Sequence, residues 1–304
     1  MDEYFSIHNL AALAAYGTLH SLSNLSYILY NMSIAKGRKV VYVVVGLLLL
    51  IWVCWIVVQE ISSNELEVVF FDVGQGDSIY IETSDNFQVL IDGGPSSVVL
   101  EKLGHEMPFY DRTIELLILT HPDHDHLFGL LEVLKRYKVE NILWTGVVKD
   151  TAEYEEWKRL IKEEGANIII AELGQKINLG QDIYLSVLHP FENLEGKQVK
   201  DFNDTSIVVK LVFNDKSFLF TGDISQKVEK QLENVDADIL KAAHHGSKSS
   251  SCLEFIQSVS PEKVVISVGN NSYGHPSEEV LQLFEQSGIQ VLITKELGDI
   301  RFAF

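Results

Sequence analysis

THPDHDH, residues 120–126, places three histidines and two aspartates within seven positions, at the end of the apolar run ELLILT. The whole chain has ten histidines in 304 residues, and folding alone gives no reason to set three of them beside carboxylates that compete for the same protons. A tight turn sends successive side chains in different directions. His121, Asp123, Asp125 and His126 can therefore divide between two bound ions.

Working outward, polar groups recur where apolar runs stop. His189 follows IYLSVL, Asp223 follows KSFLFTG, and His244-His245-Gly246 follows DILKAA. Donors on strand termini sit on a rigid frame, as a metal centre requires. One ion then takes His121, Asp123 and His189, its neighbour takes Asp125, His126 and His245, and Asp223 bridges both. Mixed imidazole and carboxylate donors suit Zn²⁺ or Mn²⁺, and two such ions about 3.5–4 Å apart can act on one phosphoryl group and one water. The cysteines, Cys54 and Cys252, lie far apart, so neither a disulfide framework nor a thiolate site is expected.

From residue 65 onward, short β-branched runs such as LEVVFFDVG, SIYIET, FQVLID, NILWTG, NIIIAE, SIVVKLVF, VVISVG and VLITKE alternate with helical stretches. The helical stretches are LFGLLEVLKRY, TAEYEEWKRLIKEEG, SQKVEKQLEN and SEEVLQLFEQSG, with apolar residues at three-to-four spacing. Early hairpins followed by βα units predict two packed sheets with helices outside. NLEGKQVKDFND, 193–204, reads as an exposed loop.

Before this domain lies VVYVVVGLLLLIWVCWIVV, residues 40–58, without a charge or proline and close to the ~20 residues that cross a bilayer as a helix. It predicts a transmembrane helix, with residues 1–39 as an N-terminal segment holding a second, weaker span or interfacial helix, 59–64 as a linker, and 65–304 as the large domain. No small-residue cleavage site follows it, which disfavours a signal peptide. Lys36, Arg38 and Lys39 precede the span and Glu60, Glu65 and Glu67 follow it, which predicts a cell-membrane protein whose large domain is extracytoplasmic. The net charge is −19. Acidity on that scale argues against a broad electrostatic grip on duplex DNA, although bound divalent ions invert the sign inside a cleft.

FFDVGQGDSIYIE, LIDGG, LTHPDHDHLFG, FLFTGD, LKAAHHGSKSS and NSYGHPS together resemble the metallo-β-lactamase superfamily, specifically the soluble domain of ComEC-type competence proteins. The resemblance spans residues 65–304 and implies an α/β fold of the αββα sandwich type carrying two divalent metal ions. The common superfamily motif is HxHxDH, and this chain has Asp123 in place of the second histidine. That departure weakens a β-lactam reading, and a similar HxDxDH occurs in ComEC-like domains and choline-phosphate esterases. The resemblance implies His121, Asp123, Asp125, His126, His189, Asp223 and His245 as metal ligands, His124 as an outward spacer and Asp92 as a group orienting a ligand. An ordinary Asp-Gly turn is the lesser alternative for Asp92; Asp77 in DVGQGD is a weaker candidate for a place beside the site, since a hairpin turn accounts for its glycines.

His245 is chosen over His244 because Gly246 permits a tight approach; the reverse choice stays open, with His244 meeting substrate. Ser247, Lys248, Asn203 and Ser206 are candidate substrate contacts, and Asp125 and His275 are the catalytic candidates, His275 as a proton donor to a leaving alkoxide. The expected activity is phosphodiester hydrolysis. By resemblance the substrate is DNA, and since one or two spans are too few for a channel, transport needs a separate polytopic DNA-channel protein. A phosphoesterase for small or cell-wall diesters, and a non-catalytic metal-bound module docking on such a channel, are the alternatives.

Overall fold

The computed structural model describes residues 38–61 and 66–304. Residues 38–61 form one helix, α1 (Arg38–Ile61). Its described residues, Tyr42 and Val44–Ile56, are all exposed and carry no charge. Among the described residues, no helix is long and apolar enough to cross a membrane. The span expected at 40–58 is therefore not found among them, and the weaker span expected within 4–35 lies outside them, as do residues 62–65 of the linker region.

Residues from Leu66 onward form two seven-stranded sheets. The first is built from β1 (Leu66–Phe70), β2 (Ile79–Thr83), β3 (Gln88–Ile91), β4 (Thr113–Ile118), β5 (Lys138–Trp144), β6 (Asn167–Ile170) and the last strand, β14 (Ile300–Ala303), in the order β14-β1-β2-β3-β4-β5-β6. The second comprises β7 (Lys176–Gly180), β8 (Ile183–His189), β9 (Val208–Phe213), β10 (Lys216–Phe220), β11 (Ile239–Lys241), β12 (Lys263–Ile266) and β13 (Gln290–Ile293), hydrogen-bonded in chain order. Both sheets begin as antiparallel hairpins and become parallel where helices cross over: β3–β4–β5–β6 in one, β10–β11–β12–β13 in the other.

Period-two alternation explains how the sheets meet. Along β8, Ile183, Leu185, Val187 and His189 are buried, while Tyr184, Ser186 and Leu188 are half-buried. The inward residues join Phe70, Ile81, Ile91, Ile118, Phe218 and Phe220 in one apolar layer between the sheets. The outer faces are covered by helices. α2 (Val98–Glu106), α3 (His124–Leu134) and α4 (Ala152–Glu164) bury Leu103, Leu130 and Trp157 on the first sheet. The one-turn α5 (Gln226–Glu229), α6 (Leu253–Val259) and α7 (Glu278–Gln286) bury Val228, Ile256 and Phe284 on the second. A last short helix, α8 (Thr294–Leu297), leads into β14. Two sheets with helices outside is the expected αββα sandwich.

Three details depart from expectation. The helix expected over SQKVEKQLEN is only α5, and the Glu229 carboxylate at its end accepts from Ser251 N–H and Cys252 N–H. The loop at 193–204 is not free. Val148 N–H donates to the Lys197 carbonyl at 2.8 Å, Gly196 N–H to the Gly146 carbonyl at 2.9 Å, and Leu194 is buried. Finally, α2, α6, α8, β7 and β14 were not anticipated.

Candidate metal centre

Strands of both sheets deliver the donors from their carboxyl ends. Asp92 follows β3, the THPDHDH turn follows β4 and starts α3, His189 ends β8, Asp223 follows β10, His245 follows β11 and Ser267 follows β12. Two glycines let these segments close up. A Cβ at Gly129 would lie 1.8 Å from the Gly93 carbonyl oxygen, so α3 seats on the Asp92–Gly93 segment only without one. His244 and His245 take left-handed φ values of 50° and 54°, a strained backbone for non-glycine residues. Gly246, at φ 77°, completes the turn against Pro276.

Asp125, His126, Asp223 and His245 each offer an atom within 4.8 Å of the others. Asp223 Oδ2 lies 3.4 Å from His126 Nε2 and 3.2 Å from His245 Nε2, and Asp125 Oδ2 is 3.3 Å from His245 Nε2. His121 adjoins them, its ring centroid 4.2 Å from that of His126. Asp123 is turned aside, with Oδ2 3.9 Å from His121 Nε2 and Oδ1 on Lys149. His189 does not belong to this close group. Ser206 links it to the rest: the Ser206 carbonyl accepts from His189 Nδ1 at 2.8 Å, while Ser206 Oγ accepts from Asp223 N–H and sits 3.2 Å from His121 Nδ1.

The imidazoles share one arrangement. His126 Nδ1 donates to Asp92 Oδ2 at 2.7 Å, His245 Nδ1 to the Ser267 carbonyl at 2.8 Å, and His189 Nδ1 to Ser206. His121 Nδ1 faces Thr120 Oγ1, whose own proton goes to Asp92, so this nitrogen too is the donor. Each Nε2 is thereby left as the nitrogen that a metal ion would take. Those of His121, His126 and His245 are buried without a hydrogen-bond partner. Buried polar atoms are rarely left so. An imidazole tied through one nitrogen and bare at the other is how metal-ligating histidines are held.

The charges agree with the geometry. Burial, with His126 alongside, holds His121 down to about 3. Burial also opposes charge on His126 and His245, but the carboxylates around them prevail, Asp223 foremost, and lift both well above the usual imidazole range. Asp223 itself, against its burial, is held well below the usual carboxylate range by His245, His126 and Lys241. The cluster is a place where positive charge is strongly favoured, and imidazole plus carboxylate donors are the right chemistry for a divalent transition ion.

Asp77 and Lys241 were, respectively, weakly anticipated and missed. Lys241 is fully buried; its ammonium contacts Asp77, donates to the Gly222 carbonyl at 2.8 Å and lies 3.4 Å from Asp223 Oδ1. Asp77 Oδ1 is 3.5 Å from His245 Nδ1. A lysine inside the apolar run DILKAA was the signal available. Thr120, Ser267 and Lys149 carried no comparable signal.

Above the cluster opens a cleft of about 530 Å³, lined by Asp123, Asp125, Asp223, His244, His245, Asn203, Gln75, Asn271, Tyr273 and His275 among others. His244 stands on its wall, Nε2 4.0 Å from Asp223 Oδ2 and 3.5 Å from Asn203 Nδ2, so of the two neighbours it is His245 that joins the cluster. The His275 backbone is fixed by Asn271 and its Nδ1 has no partner. Burial and the nearby His244 push His275 below the usual imidazole range. His124, expected as an outward spacer, lines the same cleft and is bound to Glu153 at 2.8 Å. Three expected substrate contacts are not at the cleft: Ser206 lies beneath it as described, the Ser247 hydroxyl is engaged with Ser249, and Lys248 lines a separate groove with Gln226 and Lys230.

Residues 71–269 match the family profile described as the metallo-beta-lactamase superfamily. Among curated proteins, ComE operon protein 3 of Bacillus subtilis is 34% identical over 80% of this chain and 33% of its own length. Competence protein ComA of Neisseria gonorrhoeae is 29% identical over 80% and 33%. The chain thus spans about a third of the length of the curated relatives it matches. Among solved structures, the metallo-beta-lactamase fold protein YhfI from Bacillus subtilis aligns with TM-score 0.55 at 13% identity, covering 79% of this chain and all of that one. Igni18, a metallo hydrolase from Ignicoccus hospitalis, aligns with TM-score 0.52 at 17% identity, covering 78% and 99%. At such identities these two speak for the fold alone.

Proposed function

The chain belongs to the metallo-β-lactamase superfamily and is related to competence proteins, and on that premise we propose that this metal-dependent hydrolase is a membrane-anchored phosphodiesterase that cleaves extracytoplasmic DNA during DNA uptake. One observation carries the metal-dependent part: imidazoles pinned through Nδ1 leave bare Nε2 atoms beside the Asp125 and Asp223 carboxylates at the floor of an open cleft. His121, Asp123 and His189 would hold one ion, and Asp125, His126 and His245 another, with Asp223 between them. Ions of the Zn²⁺ or Mn²⁺ type, when bound, neutralise charge on phosphoryl oxygens and lower the pKa of water.

The protein's own part is orientation. Asp92, Ser267 and Ser206 fix the ring planes, and Lys241 holds Asp77 and Asp223. Asn203, His244 and His275 present hydrogen-bonding groups along the wall where a diester would lie. The names of the competence relatives support DNA as substrate, and the apolar surface of α1 supports a membrane anchor; Lys36, Arg38 and Lys39 before the span favour the large unit outside, where it would act beside a separate polytopic channel. The net charge of −19 favours a second reading, hydrolysis of small or cell-wall phosphodiesters. A third is a non-catalytic module docked on the channel.

The test takes the full chain in detergent, stripped and reloaded with Mn²⁺ or Zn²⁺, and offers single-stranded DNA, duplex DNA and bis-p-nitrophenyl phosphate. Metal-dependent cleavage of DNA that is lost in Asp125→Asn is the expected result. Cleavage of the small diester alone favours the second reading, and no cleavage under either metal favours the third. Protease added to intact cells should degrade the large unit; protection there overturns the orientation.

A further inference from the structure

Asp123 is the member of the THPDHDH turn whose carboxylate leaves the close cluster, and what it meets is another part of the chain. Its Oδ1 accepts a hydrogen bond from Lys149 Nζ. The same ammonium donates to the Pro122 carbonyl at 2.9 Å and lies 4.7 Å from the centroid of the Phe202 ring. Carboxylate, carbonyl and aromatic face enclose it on three sides, and the Lys149 side chain is only 18% exposed. An ordinary surface ion pair needs neither the carbonyl nor the ring.

Three stretches distant in sequence meet to build this enclosure. The turn after β4 supplies Pro122 and Asp123, and the segment after β5 supplies Lys149. The loop 193–204 leads to Phe202, and that loop is joined to the Lys149 segment through Val148 and Gln198. Meanwhile the other carboxylate oxygen, Oδ2, is 3.9 Å from His121 Nε2, a buried nitrogen without a partner. One oxygen of Asp123 is thus taken by a cation of the chain itself, and the second is left facing an imidazole lone pair.

We propose that Lys149 is a positioning residue for the first ion. By holding Oδ1 it offsets the negative charge that an aspartate brings to a position between two histidine ligands, and it turns Oδ2 toward His121. The Asp123–Lys149 pair then does together what one neutral imidazole at position 123 would do alone. The inference rests on the metal-centre reading above and deepens it by assigning a role to a lysine outside the seven donors.

The experiment is calorimetric titration of the metal-stripped full chain with Mn²⁺, accompanied by thermal melts without metal. The unaltered chain should bind two ions. Lys149→Met should bind one of them ~10–100-fold more weakly, the usual cost of losing a group that orients a metal ligand, with the metal-free melting temperature unchanged. Lys149→Arg, which keeps the charge, should retain both ions. The double variant D123H/K149M should recover two-ion binding, because an imidazole at 123 brings no charge to offset. D123H alone should bind the affected ion more weakly than the double variant, since Lys149 is left facing a neutral ring. Should Lys149→Met melt early even without metal, D123H/K149M carries the test, as it removes both charges of the pair. Unchanged binding of both ions in Lys149→Met, or no recovery in the double variant, overturns the role given to Lys149. Binding of a single ion by the unaltered chain overturns it while leaving a metal centre in place, and binding of none overturns both.

Discussion

Each histidine of the floor spends Nδ1 on an acceptor inside the protein, and this local economy makes the cluster a site rather than an accident of packing. Lys241 plays the complementary part. Its ammonium is fully buried between Asp77 and Asp223, and burial would depress its pKa were the carboxylates, Asp77 foremost, not there to raise it. Removing one partner of a buried pair leaves the other charge uncompensated, at a cost of about 3–5 kcal/mol. Lys241→Met should therefore lower unfolding free energy by that order in chemical denaturation, and adding Asp77→Asn to it should restore a large part. A double variant no more stable than the single one would show that the pair is not what holds this corner. At this scale Asp125, His126, Asp223 and His245 were legible as a group, because histidines and aspartates that recur where apolar strands stop have few other uses. Lys149 and Lys241 were not, since the meaning of a lysine depends on which carboxylate reaches it in space, and Ser206 was misread because its hydroxyl turns inward to Asp223 N–H.

Among the elements, the site depends on how closely α3 can approach the end of β3. Gly93 N–H donates to the His126 carbonyl at 2.8 Å and Gly129 N–H to the Gly94 carbonyl at 2.9 Å, a contact between backbones with no room for a side chain. Gly129→Ala should push α3 outward, cost about 3 kcal/mol in the same denaturation assay, and weaken metal binding because His126 rides on that helix. A variant as stable as the parent would contradict the close seating. Strands with continuous apolar runs, such as β4 and β10, were readable because both their faces are covered. β7 was not, since most of its side chains are exposed or half-buried and only Leu179 is buried, and β14 is four residues long, too short to display a period. The loop at 193–204 looked free because its composition is polar, but its ties to residues 146–148 are made by backbone groups, which composition does not report.

For the whole molecule, both sheets send strand ends carrying carboxylates to one edge of a chain whose net charge is already −19. Cations bound there stabilise the folded state alone. At a hundredfold excess over the dissociation constant, one ion contributes about 2.7 kcal/mol, which for a domain of this size raises the melting temperature by roughly 5–10 °C. Chelation should reverse that shift and re-addition of Mn²⁺ should restore it; a melting temperature indifferent to metal would contradict the account. The αββα architecture was legible as a whole because the order of hairpins and βα units leaves few other ways to cover two sheets. The membrane span at 40–58 rests on composition, and its apolar, exposed helix face remains a proposal about where the chain resides.

The most direct test is an anomalous difference map from crystals of the full chain grown with Mn²⁺. The account predicts a peak within bonding distance of His126 Nε2, His245 Nε2 and the Asp125 and Asp223 carboxylates, with a second beside His121 and Asp123. Manganese bound elsewhere, or no ordered metal at the floor of the cleft, would contradict it.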